Sequence, residues 1–237
     1  MRYEALSFDL DGTLIDYSVS SARALEAIGG HRSDLPVWYE VSAGVEAALD
    51  RGLIPVAAFE RDRIRRFHRV RFGRPPSEAE LRGLVAARRD AVLDAVRVFP
   101  DAARLLASAA ALGVECVAVS NSYAALREEI LDRLDLARAF SHVAFCGDGA
   151  HRKPDRRAFA AALGVLGRPA ESVLHIGDEV DADVVGARNA GLAGVHVRRS
   201  GGVCAPHGVC VPSLDLVLER RGRGFTARFG TDAAAPA

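Results

Sequence analysis

Apolar residues fall in short blocks along the chain. Those of strand length are Ala5–Phe8, Val114–Val119, Val143–Cys146, Val173–Ile176 and Gly194–Val197. None alternates strictly between apolar and polar, which suits strands buried on both faces of a parallel sheet. Helical stretches with clear ends lie between them. Pro100-Asp101 opens one that stops at Gly113, Pro154-Asp155 opens one ending near Gly164, and a third runs from about Asp181 to Gly191. Strand–helix–strand alternation predicts a doubly wound, Rossmann-like α/β core. The interval 17–98 breaks the rhythm. It is rich in Ala, Arg and Leu, has no convincing strand, and spaces apolar residues such as Ile64, Phe67 and Val70 as a helix does. The predicted organisation is therefore a core of residues 1–16 and 99–220, an inserted α-helical domain at 17–98, and a loose tail at 221–237, where Gly, Arg, Ala and Pro dominate.

Composition narrows the class. A chain of 237 residues, 49% hydrophobic and 26% charged, is ordinary globular material that needs no disulfide or metal staple. Its 31 basic residues balance 31 acidic ones, which argues against a dedicated nucleic-acid binder. Arg61–Arg74 is dense in Arg with Phe67 and Phe72 interleaved; the plainer reading is a solvated helix face in an Arg-biased chain. No run reaches the roughly 18 apolar residues of a membrane span, and Asp9 and Asp11 interrupt the first apolar stretch too early for a signal peptide. Cys116, Cys146, Cys204 and Cys210 have no framework spacing, so the expectation is free thiols in a reducing cytoplasm. Cys204, His207 and Cys210 come nearest to a zinc pattern without making one.

Four segments carry candidate chemistry. In Phe8-Asp9-Leu10-Asp11-Gly12-Thr13, two carboxylates two residues apart leave a strand end toward the same crevice. Two like charges 4 Å apart repel by about 4 kcal/mol at an effective dielectric of about 20, so such a pair is costly unless something offsets it. Helix capping and an Asx turn would be the structural explanation. Ile176-Gly177-Asp178, followed by Asp181 and Asp183, repeats the arrangement far along the chain, and N-capping accounts for only one of these acids. Acids gathered from two strand ends call for a cation, and an all-oxygen set favours Mg²⁺ over Zn²⁺. Val119-Ser120-Asn121-Ser122 ends a buried strand with a small hydroxyl and turn amides that can cradle an anion, although it also suits an ordinary turn. Lys153, before Pro154-Asp155, is the one Lys among 31 basic residues. Such a residue is usually a solvated charge; here the exception suggests a need for a compact ammonium rather than a planar fork.

These segments, in this order, resemble the haloacid dehalogenase superfamily: Asp-x-Asp-Gly-Thr, then Ser-Asn, then Lys-Pro-Asp, then Gly-Asp-x4-Asp with Val-x-Gly-Ala-Arg-x-Ala-Gly-Leu following. The resemblance covers about residues 5–20 and 98–217. It implies a Rossmann-like core, a helical cap inserted after the first motif, and Mg²⁺-dependent hydrolysis of a small phosphate monoester. Carried onto this chain, Asp9 would attack phosphorus and form an aspartyl-phosphate. Asp11 would protonate the leaving alcohol and then activate water. Asp9, the backbone carbonyl of Asp11, and Asp178 would hold the metal. Ser120 and Lys153 would bind the phosphoryl oxygens, with Asn121 beside them in the phosphate loop as a turn group. Thr13 and Asp183 would support these from behind, Asp183 as an anchor for Lys153. Haloacid dehalogenases lack an acid at the position of Asp11, so Asp11 favours phosphate chemistry. A phosphomutase of the same fold, or a non-enzymatic binding protein that keeps the fold, are the alternatives. The stretch Trp38–Arg74, with Gly52-Leu53-Ile54 and Phe59-Glu60-Arg61-Asp62-Arg63, is loosely similar to the caps of pyrimidine nucleotidases and N-acylneuraminate-9-phosphatases. The expected partner is a small phosphorylated metabolite, with neither nucleic acid nor membrane.

Overall fold

The computed structural model describes residues 3–148, 151–199, 209–222 and 224–229. The chain forms two compact units, one running to Asp16 and resuming at Arg97, the other Tyr17–Val96.

The first unit is built on strands β1 (Ala5–Phe8), β2 (Ile15–Asp16), β3 (Arg97–Val98), β4 (Glu115–Ser120), β5 (His142–Phe145), β6 (Val173–Gly177), β7 (Ala193–Val197) and β8 (Val209–Val211). Six of them make one sheet in the order β5-β4-β1-β6-β7-β8, with every neighbouring pair parallel. β1 and β6 are buried along their whole length, as their apolar runs require. Ala5, Val117, Val119 and Val173 pack with Phe159, Ala162, Leu166, Ala187 and Leu192 in one apolar cluster. The short β2–β3 ladder pairs Ile15 with Val98 and Asp16 with Arg97, where the chain leaves this unit and returns. From β1 the order runs outward through β4 to β5, then crosses back to β6, β7 and β8. That reversal puts the open crevice beyond the carboxyl ends of β1, β4 and β6, the usual ligand position of such sheets.

The helix Pro100–Ala111 starts with Pro in its first turn. Asp101 beside it is buried and holds the region together. It accepts hydrogen bonds from the main-chain N–H groups of Ala102 (2.9 Å) and Leu214 (2.6 Å) and from the Arg199 guanidinium. Burial raises its pKa, but the Arg199 bond and the two N–H groups outweigh this and leave it below the usual carboxylate value. A folded pKa below the unfolded one gives stability that is complete above about pH 4 and is lost as pH falls through the folded value. Asp101→Asn is expected to cost about 1.5–3 kcal/mol at pH 7, a fall in Tm of roughly 5–10 °C. In thermal melts the gap from wild type should close as the pH is lowered below 4; a gap that persists there would exclude the ionised carboxylate as its source.

Several elements differ from their sequence expectation. After Pro154 the chain makes a 3-10 turn, Arg156–Phe159, before the helix Ala160–Leu166, which passes through Gly164 and stops at Gly167. The segment after Asp178 is a π-helical turn, Val180–Val185, followed by the short helix Gly186–Asn189. β8 extends the sheet beyond the predicted strands. The tail expectation fails over residues 224–229. There β9 (Leu216–Arg221) turns at Gly222 into β10 (Gly224–Phe229), forming an antiparallel hairpin. Its anchor is Phe225, which is buried against Tyr3 with ring centroids 6.0 Å apart and exchanges two main-chain hydrogen bonds with it. Residues 230–237 lie outside the described residues. Cys116 and Cys146 are buried free thiols, and burial pushes Cys116 up to about 12. Cys210 is disulfide-bonded, which corrects the expectation of free thiols at that position. Cys204 and His207 lie outside the described residues.

The second unit comprises α1 (Ser18–Glu26), α2 (Leu35–Asp50), α3 (Phe59–Phe72) and α4 (Glu78–Ala95). Leu25, Ile28, Trp38, Ile64, Phe67 and Leu81 form its core. α4 opens with a reciprocal capping box between Ser77 and Glu80. Four of the Arg residues of α3 are engaged within this unit. Arg63 lies 4.4 Å over the Trp38 ring, Arg61 and Arg65 pair with Glu78, and Arg71 pairs with Asp34. Arg88 of α4 covers Trp38 at 4.7 Å and pairs with Glu60 at 2.7 Å. Among the described residues, no helix is long and apolar enough to cross a membrane.

Candidate active site

Each predicted site residue in the first unit sits at or just past the carboxyl end of a sheet strand or in the loop that follows. β1 stops at Phe8 and Asp9 follows at once, nearly buried. The main chain then turns sharply: Gly12 N–H bonds to the Ile15 carbonyl, while Leu14 and Ile15 both donate to the Leu10 carbonyl. Gly12 has φ +83°, and a Cβ placed there would lie 2.4 Å from Asp178 Oδ2. Any side chain would be strained and would displace that carboxylate. If Asp178 is the metal ligand its place in the acid cluster suggests, Gly12→Ala is expected to weaken divalent-cation binding about 10–100-fold, as loss of support for a metal ligand typically does. A metal titration checks this, and an unchanged midpoint would exclude the contact as functional.

Asp178 follows the end of β6 and accepts a hydrogen bond from the Thr13 hydroxyl at 3.1 Å. Burial, with the Asp183 charge next in importance, pushes its carboxyl up to about 6. Asp183 lies in the π-helical turn, where its carboxylate accepts from Glu179 N–H at 2.9 Å. π-turns often mark functional sites, and this one aims a carboxylate back at the strand ends. Asp181 is exposed on the same turn, apart from the cluster.

Lys153 joins these groups. Its Nζ donates to Asp9 Oδ1 (2.8 Å) and Asp183 Oδ1 (2.6 Å), with its side chain only 2% exposed. Burial alone would lower the Lys153 pKa, but the two carboxylates outweigh it and hold the ammonium charged. Burial pushes Asp9 well above the carboxylate range despite Lys153, and the Asp183 charge adds to the effect. Burial acts upward on Asp183 too, yet its bonds with His175 and Lys153 keep it below the usual value. Asn121 braces the Lys153 loop: its side-chain N–H donates to the Lys153 carbonyl (3.0 Å) and its side-chain oxygen accepts from Lys153 N–H (2.8 Å). Ser120, buried at the end of β4, accepts from Ser122 N–H at 3.2 Å.

Carboxylate oxygens of Asp9, Asp178 and Asp183 lie within 4.8 Å of one another. Three acids this close, two of them pushed upward by burial, make a site that a divalent cation would relieve, and the donors are all oxygen. The residues fit such an ion. The Asp11 carboxylate is not in this cluster, so only its main-chain carbonyl could serve a metal there. Instead its Oδ2 accepts from Arg127 Nε (2.8 Å), Arg127 Nη2 (2.6 Å) and the Ser122 hydroxyl. Its Oδ1 is buried and has no partner among the described residues.

Sequence reasoning missed Arg127 and Ser122. It also missed a hydrogen-bonded line beneath the site, from Ser7 Oγ to His175 Nδ1 (2.8 Å) and from His175 Nε2 to Asp183 Oδ1 (3.4 Å). Ser7 and His175 face each other in the β1–β6 register. A polar residue at matching places in two otherwise apolar strands was the available signal. Burial lowers the His175 pKa, so the ring is neutral.

The parallel α/β sheet thus gathers acids and a buried Lys at its strand ends, where such sheets bind their ligands. A profile described as "Hydrolase: haloacid dehalogenase-like hydrolase" matches residues 3–191, and the chain belongs to that family. Phosphoglycolate phosphatase of Caulobacter vibrioides is 30% identical over 201 residues, 81% of this chain and 78% of that protein. Phosphoserine phosphatase of Thermus thermophilus is 36% identical over 102 residues, 43% of this chain and 41% of its own. The fold is shared with the HAD-hydrolase YfnB of Bacillus subtilis, whose structure was solved bound to magnesium (TM-score 0.73, 20% identity, covering 91% of this chain and 96% of that one). It is shared too with L-2-haloacid dehalogenase of Xanthobacter autotrophicus (TM-score 0.68, 22% identity, covering 90% and 96%).

Proposed function

We propose that the protein is a Mg²⁺-dependent phosphatase of small phosphate monoesters. The observation that carries this reading is the cluster of buried Asp9 and Asp183, both paired with Lys153, and half-buried Asp178 at the switch point of the sheet. The relatives named as phosphatases support it, and so does Asp11, an acid for which a dehalogenase would have no leaving alcohol. We also assign the helical unit, residues 17–96, the role of a substrate-selecting cap.

In this reading a carboxylate oxygen of Asp9 attacks phosphorus and the bond from phosphorus to the ester oxygen breaks. The leaving oxygen takes a proton from Asp11 and departs as the alcohol, leaving an aspartyl-phosphate on Asp9. Asp11 then takes a proton from water, whose oxygen attacks phosphorus. The bond from phosphorus to Asp9 breaks, which releases phosphate and returns Asp9 to the carboxylate and Asp11 to its protonated form. Asp9, Asp178 and the Asp11 carbonyl would hold Mg²⁺, whose charge offsets the repulsion between the nucleophile and the phosphoryl oxygens. Lys153 and Ser120 receive phosphoryl oxygens, Asn121 fixes the Lys153 loop, Thr13 orients Asp178, and Asp183 holds the ammonium of Lys153 in place.

The test is a panel of phosphomonoesters assayed for released phosphate with Mg²⁺ and with a chelator. Turnover that disappears with the chelator and returns with Mg²⁺ is expected. Metal-independent turnover would exclude the mechanism, isomerisation without phosphate release would show a mutase, and no turnover at all would favour a binding protein.

A further inference from the structure

The geometry beneath the site points to His175, set in place by Ser7, as a positioning residue for Lys153. Its Nε2–H shares the Asp183 carboxylate with the ammonium, so that Lys153 can follow the phosphoryl group without leaving Asp183 bare. This rests on the phosphatase reading and adds to it two side chains that never touch substrate.

Ser7 and His175 occupy paired positions in β1 and β6, buried between the apolar residues Leu6, Phe8, Leu174 and Ile176. A hydroxyl and an imidazole in that place are costly unless each finds a partner. Ser7 Oγ lies 2.8 Å from His175 Nδ1, and His175 Nε2 lies 3.4 Å from Asp183 Oδ1. An ionised carboxylate only accepts, so Nε2 must carry the proton. Nδ1 of the neutral ring is then a bare acceptor, and the Ser7 hydroxyl donates to it. Ser7 thereby fixes the tautomer that Asp183 needs. The Phe159 ring stands edge-on to the imidazole, with centroids 5.0 Å apart, and limits its rotation.

Asp183 is buried against the bare main chain of Gly177, where a Cβ would collide with its carboxylate. Its charge is met by protein donors. Glu179 N–H reaches Oδ2 at 2.9 Å, while Lys153 Nζ at 2.6 Å and His175 Nε2 at 3.4 Å share Oδ1. The same ammonium also reaches Asp9, at 2.8 Å. In the reaction proposed above, charge on the phosphoryl oxygens draws Lys153 away from Asp183. A buried carboxylate deserted by its cation is strongly disfavoured, so an Asp183 held by Lys153 alone would hold the ammonium back. On Oδ1 the His175 N–H stays behind. Long hydrogen bonds at a site commonly tighten as the reaction proceeds, and closing this one offsets the departure of Lys153 when phosphorus needs it most.

The test combines steady-state kinetics of the full chain with Mg²⁺, on an ester from the panel above, with nitrogen NMR of the imidazole rings. His175→Leu removes the donor at similar volume. It is expected to lower kcat about 10–30-fold with KM within about twofold, the scale of losing a group that orients a charged site residue. His175→Gln places an amide N–H near the position of Nε2 and should recover kcat to within about threefold of wild type, which packing alone would not achieve. Once Asp183→Asn is present, His175→Leu should cost no more than about twofold further, because the ring acts through that carboxylate. The wild-type His175 ring should carry its proton on Nε2 and leave Nδ1 bare, a readout that needs neither turnover nor a variant that folds. A proton on Nδ1, wild-type kcat in His175→Leu, or losses that simply multiply in the double variant would overturn the role while leaving the phosphatase reading intact. Wild type that releases phosphate from no ester would remove the phosphatase reading, and this role with it.

Discussion

Asp9→Asn is expected to lower phosphatase turnover by about 10⁴-fold or more, because in the proposed reaction it removes the attacking atom rather than a supporting contact. The same substitution should leave the fold intact and raise its stability slightly. Asp9 is almost fully buried, its pKa is driven up mainly by that burial, and the Asp183 charge adds to the strain. A neutral amide escapes both penalties and can still accept from Lys153. Sites built for chemistry commonly give up stability in this way. Steady-state hydrolysis and a thermal melt of the same preparation check both halves. Activity within tenfold of wild type would exclude Asp9 as nucleophile. Lost activity together with a collapsed melt would show that the carboxylate holds the fold instead.

Lys153→Met should do the reverse and damage both properties. It leaves Asp9 and Asp183 buried without the ammonium that touches them at 2.8 and 2.6 Å. Breaking a buried pair from one side typically costs about 3–5 kcal/mol, here a fall in Tm of roughly 10 °C. Loss of a cation beside the phosphoryl oxygens adds at least about a 10²–10³-fold fall in kcat. Lys153→Arg separates charge from shape. A guanidinium keeps the charge but must fit a space in which the Lys side chain is 2% exposed, and overpacking costs about 1–3 kcal/mol. It also cannot place one compact ammonium between two carboxylates. About a 10²-fold loss of activity is therefore expected of Lys153→Arg, and full activity would make the single Lys of this Arg-rich chain a coincidence.

What the sequence made legible follows the range of the interactions involved. β1, β4 and β6 were readable because burial on both faces leaves a mostly apolar run. β10 was not, because Gly-Phe-Thr-Ala-Arg-Phe acquires its strand character from pairing with β9 and from Phe225 meeting Tyr3 at the other end of the chain. The helix after Pro154 was placed too early because Asp155 caps a 3-10 turn there, accepting from Arg157 N–H at 2.9 Å. Among site residues, Asp9, Asp178, Asp183 and Lys153 announced themselves through local motifs, and the structure gathers all four. Arg127 had no local signal. It meets Asp11 across 116 residues, and nothing in Ser-Tyr-Ala-Ala-Leu-Arg distinguishes it from a surface helix position. Asn121 was legible as part of a turn, but its particular use, clasping the Lys153 main chain, depends on a loop 32 residues away.

The strand order also bears on how the molecule is made. β1 is completed on one side by β4 and on the other by β6, so that Ser7 meets His175 across 168 residues. A ribosome adding about 5–20 residues per second therefore leaves one edge of a buried, mostly apolar strand open for roughly 10–30 s after it emerges. During that interval the nascent chain holds Asp9 but neither Lys153 nor the acids after β6, and its bare edge invites pairing with other chains. Closure across so long a separation is slow by its topology. Fragments released before β6 should accordingly aggregate rather than retain partial activity, because this catalytic centre comes into being only as the central strand acquires its second neighbour.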